Sequence, residues 1–122
     1  IGAGEIEYLT AGSSEEEVQA RLRKFSRVTE VPAGGELEIC QGVTAVATPG
    51  HTPGHISVLV ETESDRVVVA GDVTMTRSEY EERKFSHWYT PDQLAQLNAS
   101  LDRLQAWGPT LVLPGHDRAF RP

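Results

Sequence analysis

The chain has 122 residues and a mass of 13.3 kDa, room for one small domain with its own core and not for two. Asp and Glu number 18 against 11 Lys and Arg, a formal net charge of −7 that argues against a generic nucleic-acid binder. No apolar stretch approaches the ~20 residues needed to span a bilayer, and 39% hydrophobic with 24% charged residues is ordinary for a soluble globular protein. Residues 1–10 lack the basic start and apolar run of a signal peptide, so a cytoplasmic location is expected. The first residue is Ile1 rather than Met, which reads as a processed, proteolysed or deliberately shortened product, and the chain is expected to be incomplete. The single Cys40 excludes an internal disulfide and a cysteine-based zinc cluster; beside Ile39 it reads as a small buried hydrophobe.

In chain order, Ser14-Glu15-Glu16-Glu17 matches a capping box, and Val18, Leu22 and Phe25 follow at helical spacing, predicting a helix over about 14 to 25. Arg21-Leu22-Arg23-Lys24 suits the solvated face and C-terminal end of that helix, where cations complement the macrodipole. Pro32-Ala33-Gly34-Gly35 breaks the pattern. Leu37-Glu38-Ile39 and Val43 to Ala47 then read as strands joined at Gln41-Gly42, and Ile56, Val58 and Val60 alternate along a third. Val67-Val68-Val69-Ala70 has no polar face and is expected to be a central strand covered on both sides. Val73 to Tyr89 shows no periodicity and reads as a functional loop. Thr90-Pro91-Asp92-Gln93 is a second capping box with proline at the first helical position, followed by one apolar stripe of Leu94, Leu97, Leu101, Leu104 and Trp107. Gly108-Pro109 ends that helix, and Leu111-Val112-Leu113 makes a last strand.

Three of these apolar runs end in glycine and a potential metal donor. The first is Thr48-Pro49-Gly50-His51-Thr52-Pro53-Gly54-His55, the second Ala70-Gly71-Asp72, the third Leu113-Pro114-Gly115-His116-Asp117. Two imidazoles and a carboxylate are donor types that hold zinc or iron and leave positions open for water. Each has a plainer reading: His51 as a satisfied loop histidine, Asp72 as a turn former, and no metal at all.

The order and spacing of these motifs resemble the metallo-β-lactamase superfamily. The resemblance implies an α+β fold, the C-terminal half of an αββα sandwich with a mainly antiparallel sheet covered by helices, and residues 1–122 as one partial domain. It also implies that His51, Asp72 and His116 are metal ligands. Asp72, the catalytic candidate, would bridge two zinc ions, with iron or manganese as alternatives. His55, Met75, His87 and Asp117 are then expected to touch those ligands or the substrate. The superfamily opens its site with an upstream HxHxDH cluster, which this sequence lacks. Each metal would therefore keep one histidine and a shared carboxylate, fewer than the three protein donors usual at catalytic zinc.

Within the superfamily, residues 48–63 and the run after Asp72 look most like N-acyl homoserine lactonases, with glyoxalase II-like thioesterases sharing the first motif. The lactonases carry a tyrosine three residues after the bridging aspartate; here that position is Met75, which cannot donate a hydrogen bond. The implied function is metal-dependent hydrolysis of a small ester, lactone or thioester, inactive in the isolated chain and with no membrane or nucleic-acid partner. The alternative is a noncatalytic half-fold module that associates with itself, as a homodimer, or with a complementary chain through the uncovered sheet face around Val58, Val60, Val67 and Val69.

Overall fold

From Glu36 onward the alternating and continuous apolar runs form five strands: β1 (Glu36–Cys40), β2 (Val43–Ala47), β3 (Ile56–Glu61), β4 (Arg66–Gly71) and β5 (Leu111–Pro114). The computed structural model describes residues 1–24 and 27–122. The strands form one sheet in the order β1-β2-β3-β4-β5. The first three pairings are antiparallel and the last, β4 with β5, is parallel. A parallel neighbour needs a crossover, and the segment between these strands supplies it with α3 (Arg77–Glu82) and α4 (Pro91–Ala106). The protein is thus α+β with a mainly antiparallel sheet, as its motifs implied.

Helix α4 begins at the expected capping box, in which Thr90 accepts from the Gln93 N–H and the Gln93 side chain accepts from the Thr90 N–H. Its stripe buries Leu97, Leu101 and Leu104 against Val46, Val68, Ala70 and Val112 of the sheet. This is the main core. Tyr80 of α3 joins it, edge-on to Phe120 at 5.4 Å between ring centres. The tail after β5 folds back so that Val112 and Phe120 pair across the outer edge.

Two short helices precede the sheet, α1 (Glu5–Leu9) and α2 (Glu15–Leu22). The Ser14–Glu17 capping box forms as expected, while Phe25 lies outside the described residues. Ahead of the first strand, Val31 pairs with Gly2 and packs on Ala45, Ala47, Leu37 and Ile56, a second and smaller cluster.

The second cluster covers only a corner of the face away from α4. Register places Ala45, Val58, Val69 and Leu113 in one row on that face and Val43, Val60, Val67 and Leu111 in the next. Val68 is fully buried, yet Val69 beside it is 40% exposed. The expectation that β4 is covered on both sides therefore holds on one side only, because the α4 layer lies on one face. Cys40 corrects a second expectation: it is exposed, since β1 is the edge strand and its pairing slips between Glu38 and Cys40. The third correction concerns 73–89, which contains α3, a six-residue helix started by the Thr76 cap rather than by apolar periodicity. Among the described residues no helix is long and apolar enough to cross a membrane.

Candidate metal centre

All three donor motifs lie in turns at one end of the sheet. The turn from β2 to β3 carries His51 and His55, the end of β4 carries Asp72, and the end of β5 carries His116. Because β4 and β5 run parallel, their C-terminal ends emerge side by side. Two backbone bonds then join the turns, Gly115 N–H to Thr74 O at 3.1 Å and His116 N–H to Met75 O at 2.9 Å. A Cβ at Gly115 would run into Asp72 Oδ1 and crowd the Gly71 carbonyl, so glycine here leaves the carboxylate its place.

The two imidazoles meet opposite oxygens of the Asp72 carboxylate. His116 Nε2 is 3.1 Å from Oδ1, and His51 Nε2 is 3.7 Å from Oδ2. Two donors each about 2.1 Å from a shared tetrahedral ion stand about 3.4 Å apart, so both pairs are spaced to share a cation. Among the described residues, however, no three His, Cys, Asp or Glu side chains converge on one point. The arrangement is two donor pairs joined through one carboxylate, not a closed three-donor site. The residues fit part of a two-metal centre and leave each ion short of protein donors.

His55 stands behind this group rather than in it. The Asp72 N–H donates to His55 Nε2 at 3.0 Å, so the ring proton is on Nδ1 and points at Thr48, whose Oγ1 is 2.9 Å and carbonyl 3.1 Å away. Ser57 Oγ donates to Ala70 O, which leaves the Thr48 hydroxyl to donate to Ser57 at 2.9 Å. Every proton in the chain from Asp72 N–H through His55, Thr48 and Ser57 to Ala70 O is thereby assigned. Thr48 and Ser57 are buried. Burial lowers the His55 pKa against the opposing pull of the Thr48 carbonyl and the Asp72 charge, and favours the neutral ring this chain of bonds needs. Gly71 brings the backbone round at φ 62°, and its missing Cβ leaves the space that His55 Nε2 faces.

His51 is held from the other side by a residue the sequence reading did not single out as a site residue. Tyr89 Oη lies 2.9 Å from His51 Nδ1, and Tyr89 is buried. Burial pushes the Tyr89 hydroxyl above its usual range, with the Glu79 charge adding to the effect, so it keeps its proton at neutral pH. Thirty-eight residues separate the pair, and no motif spacing announces it.

The remaining candidates sit elsewhere. Met75 packs against the main core, and its N–H donates to the buried Glu79 at 2.6 Å. Asp117 accepts from the backbone N–H groups of Arg77 and Arg118, which hold its carboxyl below the usual range and tie the last turn to the start of α3. His87 is exposed and rests against Trp88, 5.6 Å between ring centres.

A mixed sheet backed by helices, with carboxylate and imidazole donors gathered at its strand ends, defines the metallo-β-lactamase type of fold. Residues 3–116 match the metallo-beta-lactamase superfamily model, and the chain belongs to that superfamily. It is 30% identical over 84 residues to the N-acyl homoserine lactonase of Bacillus thuringiensis, covering 68% of this chain and 34% of that protein. A second N-acyl homoserine lactonase, from a Bacillus species, is 46% identical over 48 residues, covering 38% of this chain and 19% of the relative. Among solved structures, an N-acyl homoserine lactone hydrolase with the product N-hexanoyl-L-homoserine bound at its catalytic metal centre superposes with a TM-score of 0.67. That match has 26% identity and covers 96% of this chain and 46% of the other. The chain thus spans at most about a third of these two curated relatives and just under half of that structure.

Proposed function

We propose that residues 1–122 form one partial domain, the C-terminal half of a metal-dependent hydrolase that cleaves a small ester, lactone or thioester. His51, Asp72 and His116 would be its contribution to holding two zinc ions, with Asp72 offering one oxygen beside each imidazole. The observation that carries this reading is the Asp72 carboxylate, with one oxygen facing each imidazole Nε2. Zinc at such a centre supplies Lewis acidity, enough to bring the ionisation of water from about 15.7 to about 7. The chain's own residues do the aiming: His55 holds the Asp72 backbone, and the bonds between the two turns fix the approach of Asp72 and His116. The likeness to lactonases supports a lactone as the first substrate to try. With two donor pairs and, among the described residues, no third donor on either, the isolated chain holds zinc weakly and does not turn over.

Zinc content at increasing free zinc, read by native mass spectrometry for the wild type and for Asp72→Ala, tests the proposal. Uptake in the wild type that Asp72→Ala abolishes supports it; identical uptake in both, or none in the wild type, overturns it. Activity on lactone and thioester substrates belongs to the same experiment, and turnover by the 122 residues alone would contradict the inactivity of the isolated chain.

A second reading is favoured by one observation, the rows of aliphatic residues on the open sheet face with Val69 40% exposed. On this reading the protein is a noncatalytic module that pairs with a second copy through that face. The oligomeric state in the same native spectra separates the two.

A further inference from the structure

We propose that Tyr89 is a positioning residue for His51: its hydroxyl holds the imidazole through Nδ1 and leaves Nε2 aimed at Asp72. The inference rests on the reading of His51 as a zinc donor and adds to it a residue that none of the three motifs contains. The Tyr89 hydroxyl is 2.9 Å from His51 Nδ1, and the rings stand edge to face with 6.1 Å between centres. Tyr89 is only 8% exposed, belongs to the main core and has Phe85 edge-on at 6.4 Å, so the hydroxyl is presented from a rigid wall. A flip of the imidazole would put a carbon where Nδ1 stands and forfeit the bond.

The chemistry of the partner matters as much as its place. A hydroxyl both donates and accepts. Tyr89 can therefore donate to a bare Nδ1 while Nε2 carries the proton, and accept from Nδ1–H once Nε2 presents its lone pair to a cation. The ring keeps its orientation through that change of tautomer. His116 has no such support: its side chain is 64% exposed, and among the described residues its ring has Asp72 as its only bonded partner. The structure assigns unequal preparation to the two imidazoles, His51 preset and His116 left to be ordered by what binds.

The test is Tyr89→Phe, which keeps the ring in the core and removes only the hydroxyl. Histidine ring nitrogens are followed by long-range ¹H–¹⁵N correlation spectra of the 122-residue chain, without zinc and through a zinc titration. Removing the partner that orients a metal-bound histidine typically costs 10–100-fold in metal affinity. The expected result is a changed His51 ring pattern without zinc and a zinc response at His51 weakened about tenfold or more, with His116 less affected. His51 signals that are the same in variant and wild type, with and without zinc, would overturn the inference. If neither histidine of the wild type responds to zinc, the metal reading fails, while a changed zinc-free pattern in the variant still supports the holding role of Tyr89.

Discussion

The two faces of the sheet are built from similar aliphatic residues and end in opposite states. On one, Val68, Ala70 and Val112 disappear beneath Leu97, Leu101 and Leu104 of α4. On the other, Val58, Val60, Val67, Val69, Leu111 and Leu113 lie in two neighbouring rows, and among the described residues the Val31 cluster caps only a corner. Side-chain chemistry is nearly constant across β4, so composition does not decide burial. What decides it is whether the chain supplies a second layer, and the crossover that makes β5 parallel to β4 puts that layer on one side alone. The donor residues sit at the rim where the covered and open faces meet.

Substitutions on the two faces should diverge accordingly. Leu101→Ala leaves a cavity in the one closed layer and is expected to cost about 2–5 kcal/mol in urea unfolding. A loss well under 1 kcal/mol would show that α4 does not seat against the sheet. At the rim, Gly115→Ala forces a methyl into Asp72 Oδ1, with an expected cost of about 1–3 kcal/mol and the loss of zinc uptake in native mass spectra. Retained zinc would mean that the carboxylate has room to move aside. Thr90→Ala removes the cap of the covering helix and should lower stability by about 1 kcal/mol, visible as a shifted midpoint with an unchanged denaturant slope. Val69→Lys on the open face should change stability by less than about 0.5 kcal/mol. Sedimentation velocity at high concentration then reads its real effect: dimers in the wild type that vanish in the variant would favour the self-associating module.

Much of the fold was legible because its signals are local. The two capping boxes and the stripe from Leu94 to Trp107 each lie within one element, and the structure contains them; alternation marked β3 as a strand too, but the side chain it buries most deeply is Ser57, because Val58 and Val60 face the open side. The motif turns were legible for the same reason, since glycine beside His51, Asp72 and His116 marks sharp turns at strand ends. Burial of Cys40 was misread because strand order is a long-range property and β1 falls at the edge. The cover on Val69 was misread because an apolar run does not say which side receives a layer. Tyr89 was passed over as a site residue because nothing in a run of Trp, Tyr and Thr tells that the second ring reaches a histidine 38 residues away. Asp117 beside His116 reads either as its orienting partner or as polar loop; its carboxylate instead accepts from the N–H of Arg77 at the start of α3 and from the N–H of Arg118 in its own turn, and a link over 40 residues has no local signal.

The bond from the Asp72 N–H to His55 Nε2 also makes that amide a natural clock for the site. Most protected amides in a sheet are paired with carbonyls and exchange their hydrogen for deuterium only when strands part. This one is paired with a ring, so its exchange rate times the swinging away of a single side chain. Deuterium uptake at Asp72, set beside uptake at the fully buried Val68, separates opening of the turn from unfolding of the sheet without any ligand.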